Sequence, residues 1–125
     1  MNILLLDDNQ HRITFFQNSL KKHTLVVCRH ANAAIKALKK SSFDVIFLDH
    51  DLEREPANPE DENCGSEVAR FISENEIHCG RIILHTENRA GREAMAAILA
   101  NCEIIPYSKL KKVNFHSLLK TEAIE

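Results

Sequence analysis

The chain has 125 residues, which is enough for one domain but not for two. Hydrophobic residues make up 44% of it and charged residues 27%, a balance that excludes a disordered or fibrous protein. With 16 basic and 18 acidic side chains the net charge is -2, whereas general binding to nucleic acid requires a concentrated surplus of Lys and Arg. We therefore expect a single domain over residues 1–125 that is not a general nucleic-acid binder.

The first apolar run, residues 3–6, is too short to cross a membrane, because a spanning helix needs about 20 apolar residues. It ends at Asp7-Asp8, where a signal peptide would still be apolar. The four cysteines form no C-x-x-C pair, which leaves zinc-ribbon and thioredoxin chemistry without support. We expect reduced thiols in a cytoplasmic protein without a membrane partner, although two disulfides are an alternative.

Short apolar runs alternate with longer amphipathic stretches along the chain. Runs of strand length, rich in Ile, Leu and Val as in parallel strands covered on both faces, occupy residues 3–6, 25–28, 45–48, 82–84 and 103–105. Apolar residues recur at helical spacing in the stretches 11–22, 32–40, 66–75, 92–100 and 113–120.

Five strands alternating with five helices predict an α/β protein with a doubly wound parallel sheet. The flavodoxin-like strand order 2-1-3-4-5 is usual at this size and places a ligand crevice at the carboxyl ends of strands 1 and 3. One irregular stretch, residues 53–64, contains two prolines and five acids. It is either a functional lid or a solvated surface loop.

Acids and histidines directly follow three of the predicted strands. They are Asp7 and Asp8 after strand 1, Asp49, His50 and Asp51 after strand 3, and His85, followed by Thr86, after strand 4. Because strands 1, 3 and 4 are neighbours in the predicted order, four carboxylates and two imidazoles converge at one crevice. Like charges repel by roughly 4 kcal/mol at ~4 Å for an effective dielectric near 20, so such a cluster needs a cation or imidazolium neighbours.

Oxygen ligands at a crevice of this kind are typical of Mg²⁺ or Mn²⁺. We expect Asp7, Asp8 and Asp49 to hold the metal ion. Plainer explanations exist: Asp8 can cap the first helix, and Asp51 can open the turn after strand 3. Either histidine can equally be a hydrogen-bonded structural imidazole.

Four further residues are candidates for binding an anionic substrate. Arg12 lies one turn into the first helix, where it can reach an anion in the crevice or form a surface salt bridge. Asn88 and Gly91 open the fourth helix, and the backbone N–H groups of a helix start form a natural phosphate seat. Asn88 is equally explained as a plain N-cap. Thr86 follows His85 at the crevice.

This arrangement resembles a receiver domain, the phospho-acceptor module of two-component signalling, whose fold is the CheY-like form of the flavodoxin-like sheet. The acidic pair, Asp49 after strand 3 and a polar residue after strand 4 match in order and spacing over essentially the whole chain. Three features depart from the receiver pattern. After strand 5, where a receiver has Lys-Pro, this chain has Ile105-Pro106, and the next lysine is Lys109. His85 stands after strand 4 in place of Thr or Ser. The Met-Pro turn that follows the acceptor aspartate of a receiver is absent after Asp49.

Those departures resemble the cyclic-phosphate-processing group of receiver-like domains. The matching segments are residues 48–52, Cys64-Gly65 at a helix start, and residues 84–88 followed by Gly91. The resemblance implies the same fold and acidic pocket, with one added histidine after each of strands 3 and 4. It also implies hydrolysis of a cyclic phosphodiester on a nucleotide or an ADP-ribose-type product.

We hypothesise a small cyclic phosphodiesterase. Opening a cyclic phosphate requires a nucleophilic water, neutralisation of the non-bridging oxygens and a proton for the departing ribose oxygen. A metal ion lowers the pKa of its water and polarises the phosphate, while His50 and His85 divide the acid and base roles. Asp51 either orients one of the two imidazoles or serves as an additional ligand of the metal ion. Tyr107 is an aromatic residue that could stack on a base.

Other hypotheses for the function are also consistent with the sequence. Two histidines can hydrolyse a cyclic phosphate without metal, the aspartates tuning their pKa values. The main rival function is a stand-alone response-regulator receiver that takes phosphate on Asp49 from a histidine kinase. A third hypothesis is a catalytically inactive pseudo-receiver that binds a nucleotide or a partner protein.

Overall fold

Five parallel strands form one sheet at the centre of the computed structural model, which describes residues 1–52 and 60–120. The strands are β1 (Asn2–Leu6), β2 (Thr24–Cys28), β3 (Val45–Leu48), β4 (Arg81–Leu84) and β5 (Glu103–Ile104). Their order is β2-β1-β3-β4-β5. The predicted fold class and strand order are thereby confirmed. The predicted lid or loop at 53–64 lies outside the described residues over 53–59.

Helices connect the strands and cover both faces of the sheet. They are α1 (Gln10–Ser19), α2 (Ala31–Lys40), α3 (Gly65–Glu74), α4 (Arg89–Ile98), α5 (Tyr107–Leu110) and α6 (Phe115–Leu118). The first four occupy the predicted stretches with shifted ends. Asn9 sets the start of α1, because its side chain accepts the backbone N–H of Arg12.

The last part of the chain differs from the prediction of one helix over 113–120. Two helices of four residues stand there instead, one of them before the predicted stretch. The side chain of Asn114 accepts the backbone N–H of Ser117 and so starts α6 inside the predicted range. Pro106, at the N-cap of α5, has no N–H to donate, which suits the start of a helix.

The core lies in two layers because alternate strand residues point to opposite faces of the sheet. Even-numbered residues of β1, β3 and β4 pack under α2, α3 and α4 in one buried cluster. Odd-numbered residues of the same strands pack with α1 and α6 in the other. Leu6, Leu48 and Leu84 are register partners, so the residues that follow them lie side by side.

Two predictions from composition can be compared with the structure. No helix among the described residues is both long and apolar enough to span a membrane. All four cysteines are free thiols, with Cys28 and Cys64 buried. No disulfide therefore supplements the packing of the two core layers.

Candidate functional site

Three polar side chains lie together at the carboxyl edge of the sheet, on its odd-numbered face. Asp7, Asp49 and His85 each follow one of three register-paired leucines and are at most 4% exposed. One ligand atom from each lies within 4.8 Å of the others. Nε2 of His85 is 2.9 Å from Oδ2 of Asp7, although the two residues are 78 positions apart in sequence. The structure thus brings together the ends of β1, β3 and β4, as the strand order requires.

Arg12 of α1 joins this group from the side. Its Nε donates to Oδ2 of Asp7 at 2.8 Å and its Nη2 to Oδ1 of the same carboxylate at 2.9 Å. Nη2 also lies 3.1 Å from Oδ2 of Asp49, so one guanidinium bridges both acids. Its Cζ lies 5.9 Å from the centre of the Tyr107 ring, within the range of a cation–π contact. The guanidinium of Arg12 is therefore held in the site by both carboxylates and by the ring of Tyr107.

The pKa values of the two carboxylates shift in opposite directions in this group. Burial alone raises the pKa of Asp7, but hydrogen bonds from His85 and Arg12 outweigh it and lower that pKa to about 2. Burial dominates for Asp49 and raises its pKa to about 6, because the attraction of His85 and Arg12 is offset in part by the charge of Asp7. Asp7 is thus a fixed anion, while Asp49 can exchange a proton near neutral pH.

His85 packs edge-on against aromatic rings and keeps one nitrogen unused. Its ring centre is 5.2 Å from that of Phe16 and 6.4 Å from that of Phe47. Nδ1 is buried and has no hydrogen-bond partner among the described residues. Such an orphaned polar atom costs free energy, which is a common feature of functional sites.

His50 points to the opposite face of the sheet and is fully buried. Its Nδ1 lies 3.1 Å from Oδ1 of Asp51, and its Nε2 lies 2.9 Å from Oγ of Ser66 in the first turn of α3. Burial opposes the charged imidazolium, but contacts with Cys64 and Asp51 raise the pKa of His50 above its ordinary value. Both ring nitrogens are therefore engaged inside the protein. The structure does not bring His50 and His85 together.

Gly91 lies behind the site, against His50. A Cβ on Gly91 would lie 2.3 Å from Cγ of that imidazole, closer than any side chain can approach. The N–H of Gly91 donates to Oδ1 of Asn88, which caps α4. Nδ2 of the same asparagine donates to Oδ1 of Asp51 at 2.8 Å. The glycine predicted to seat phosphate thus makes room for a histidine and closes a helix cap.

A small cavity opens next to the acidic group. Its lining consists of Arg12, Asp49, Asp51, His85, Thr86, Glu87, Asn88 and Tyr107. Six of these belong to the site predicted from the sequence, and Tyr107 was noted as an aromatic candidate. Glu87 was missed, although it directly follows Thr86. Ser66 was also missed, and its only signal is its place beside the Cys64-Gly65 helix start.

Asp8 does not belong to the group of ligand atoms found around Asp49. Successive residues at a strand end point to opposite faces, so Asp7 and Asp8 separate. The backbone oxygen of Asp8 accepts from Nη1 of Arg29 at 3.4 Å instead. Among the described residues, the group that could hold a metal ion is Asp7, Asp49 and His85, with two carboxylates of the kind that Mg²⁺ and Mn²⁺ prefer and one imidazole, which is more typical of transition metals.

The family described as cyclic-phosphate processing receiver domain matches residues 2–101 of the chain. The chain belongs to this family. The match confirms the resemblance found from the motifs after strands 3 and 4. A search of curated proteins finds no matching relative.

Solved structures of response-regulator receivers share the fold of this receiver domain. TrrA of Thermotoga maritima, in complex with Mg²⁺ and BeF, is 20% identical with a TM-score of 0.67, covering 94% of this chain and 98% of its own. The Mn²⁺-bound form of Rcp1 is 20% identical with a TM-score of 0.69, covering 99% and 96%. CheY4 of Vibrio cholerae is 14% identical with a TM-score of 0.70, covering 94% of each chain. These identities establish the fold.

Proposed function

We propose that this receiver domain hydrolyses a cyclic phosphodiester on a nucleotide or an ADP-ribose-type substrate. The observation that carries the proposal is the convergence of a guanidinium, an acid with a pKa of about 6 and a buried histidine on one cavity. Family membership supports the same substrate class. In the reaction, water attacks phosphorus, the bond from phosphorus to one ribose oxygen breaks, and that oxygen takes up a proton.

Three side chains meet the requirements of this step. The positive charge of Arg12 can offset the charge that develops on the phosphate oxygens. Asp49 is poised to accept the proton of the attacking water. His85, whose Nε2 bonds to Asp7, lines the same cavity and is proposed as the general acid for the departing oxygen.

Residues at the end of β4 and after β3 complete the binding surface. Thr86 and Asn88 line the cavity and offer polar atoms to the phosphate and the sugar. Asp51 reaches the same cavity from the other side, held by His50 and Asn88. We therefore assign His50 a supporting role through Asp51 rather than direct contact with substrate. Tyr107 also lines the cavity, where its ring is available to stack on a nucleobase of the substrate.

Mg²⁺ or Mn²⁺ is proposed as a cofactor of this site, held by Asp7 and Asp49, because carboxylate oxygens are the donors that these ions prefer. A bound divalent cation would lower the pKa of its water and polarise the phosphate. The version without metal assigns these tasks to Arg12 and Asp49. Adding EDTA separates the two versions, because chelation abolishes turnover only when the metal is required.

The deciding experiment is an assay of cyclic phosphates. We would incubate the protein with 2′,3′-cyclic AMP, an ADP-ribose cyclic phosphate and a cyclic dinucleotide, with Mg²⁺ or with EDTA, and follow ring opening by phosphorus NMR. His85→Ala should lower turnover roughly 10²–10⁴-fold, the usual worth of a general acid. His78→Ala, an exposed histidine at the other end of the sheet, is the matched control. Absence of ring opening for all three substrates would refute the proposal.

Phosphorylation of Asp49 by a histidine kinase is the alternative to be separated from hydrolysis. The residue at the lysine position, Ile105, packs with the core layer of α1 and α6 and offers no cation. Asp49 is already paired with Arg12. A stable beryllofluoride adduct on Asp49, without ring opening of any cyclic phosphate, would favour this alternative. Binding of a nucleotide without turnover would favour the inactive pseudo-receiver.

A cytoplasmic location is also proposed. The four cysteines, which form no disulfide, support it, because thiols stay reduced in that compartment. The expected partner is then the small cyclic-phosphate substrate itself, with no membrane and no general nucleic-acid partner. Fractionation of cells expressing the tagged protein tests the location.

A further inference from the structure

The carboxylate of Asp7 has no acceptor position left for a metal ion. Oδ1 accepts the backbone N–H of Asn9 and Nη2 of Arg12, both at 2.9 Å. Oδ2 accepts Nε of Arg12 at 2.8 Å and lies 2.9 Å from Nε2 of His85. An ionised carboxylate offers about four lone-pair sites, so these four bonds saturate it.

Arg12 also lies where a cation shared by the two acids would bind. Its Nη2 contacts Oδ1 of Asp7 and Oδ2 of Asp49 at 2.9 and 3.1 Å. A metal ion that ligates both carboxylates needs these oxygens and the space between them. The positive charge of the guanidinium adds repulsion to this steric conflict.

The arginine is the more exposed member of this ion pair. Its side chain is 21% exposed, whereas that of Asp7 is fully buried. It extends from the first turn of α1, and the half-buried ring of Tyr107 is among its contacts. Removal of Arg12 leaves two carboxylates facing each other without a fixed cation, which is the environment that binds a divalent cation.

We propose that Arg12 and a divalent cation compete for Asp7 and Asp49, so that Arg12 sets the metal affinity of this receiver domain. The cation occupies the acidic group only when the guanidinium has moved out. This inference does not depend on hydrolysis of a cyclic phosphate. It assigns Arg12 as the built-in counter-ion of a site that is otherwise suited to a metal.

Direct binding of Mn²⁺ tests the proposal. We would measure the dissociation constant of Mn²⁺ by calorimetry and by electron paramagnetic resonance for the wild type, Arg12→Gln and Arg12→Lys. Arg12→Gln should bind Mn²⁺ at least ten-fold more tightly than the wild type. Arg12→Lys should lie between them, because an ammonium keeps the charge but cannot bridge two carboxylates as a planar fork does. Arg89→Gln, which removes an exposed arginine paired only with Glu93 among the described residues, is the control and should match the wild type.

Thermal unfolding keeps the test decisive if Arg12→Gln is unstable without metal. Its unfolding temperature in EDTA should fall below that of the wild type and rise more steeply on addition of Mn²⁺. Introducing Asp49→Asn into Arg12→Gln should abolish the gain in affinity and so locate the ion. Equal Mn²⁺ affinity in the wild type and Arg12→Gln, or no Mn²⁺ binding by either, overturns the proposal.

Discussion

The imidazole of His50 and the Cα of Gly91 are in direct contact, and this contact explains why a glycine opens α4. A Cβ on Gly91 would lie 2.5 Å from Nδ1 of the histidine and 2.3 Å from its Cγ. Gly91 has no positive φ, so its backbone conformation does not demand glycine. The requirement is one of space: the side chain of His50, two residues after β3, occupies the place of a Cβ near the start of α4.

Gly91→Ala should therefore destabilise the protein although alanine is the better helix former. The helical preference of alanine is worth about 1 kcal/mol, and forcing a methyl group against a buried ring costs about 1 to 3 kcal/mol. Urea unfolding of the wild type and the variant measures the difference. In a His50→Ala background the ring is gone, so the same substitution should become neutral or stabilising. An equal cost in both backgrounds would show that His50 is not the obstacle.

The bond between His50 and Asp51 predicts non-additive kinetics, provided that the proposed hydrolysis holds. Asp51→Ala should lower kcat/KM on a cyclic phosphate by about ten-fold or more, since removing a charged hydrogen-bonding group costs about 1.5 to 3 kcal/mol. Adding His50→Gln should then change kcat/KM by less than about two-fold, because His50 acts through Asp51. Multiplicative losses would instead assign His50 its own contact with the substrate. Ser66→Ala, which spares the bond to Asp51, is the control.

Asp49→Asn should stabilise the protein at neutral pH. The pKa of Asp49 is raised from 3.8 to about 6 in the fold, so its charged form costs stability. That cost is absent below pH 3.8, grows between pH 3.8 and 6, and is complete above that range. The gain at pH 7.5 should be on the order of 2 kcal/mol and should disappear at pH 3.5. Thermal unfolding of Asp49→Asn and the wild type at both pH values measures this difference in stability.

Asp7→Asn should have the opposite effect. The pKa of Asp7 is lowered from 3.8 to about 2, so its charged form stabilises the fold above pH 3.8. This contribution is lost as pH falls through 2. Breaking the buried bonds to Arg12 and His85 should cost about 3 kcal/mol or more at pH 7. A neutral or stabilising effect in urea unfolding at pH 7 would contradict the role of Asp7 as a fixed anion.

Much of the fold follows from local patterns in the chain. The apolar runs and the helical spacing suffice to predict five strands and the first four helices, because each element has its own period and caps. The exception is the region of α5 and α6. There the stretch 113–120 has helical spacing, but the helix starts after the cap residue Asn114 and covers only Phe115–Leu118.

The acids and histidines after the strands lie at the predicted edge of the sheet, but their division between its two faces was not predicted. Asp49 and His50 are consecutive, and alternation along a strand sends them to opposite sides. That signal was present in the sequence, whereas the prediction let both histidines converge on one substrate. The alternation also separates Asp8 from the acids that can hold a metal ion.

The sequence by itself determined the element order, the family and the clustering of acids and histidines at three strand ends, because these depend on short-range patterns and spacing. Tertiary structure alone decided that Arg12 bridges Asp7 and Asp49 and that His85 bonds Asp7 across 78 positions. Such contacts depend on the register between strands and on how α1 docks against the sheet. No local preference of the chain encodes those distances.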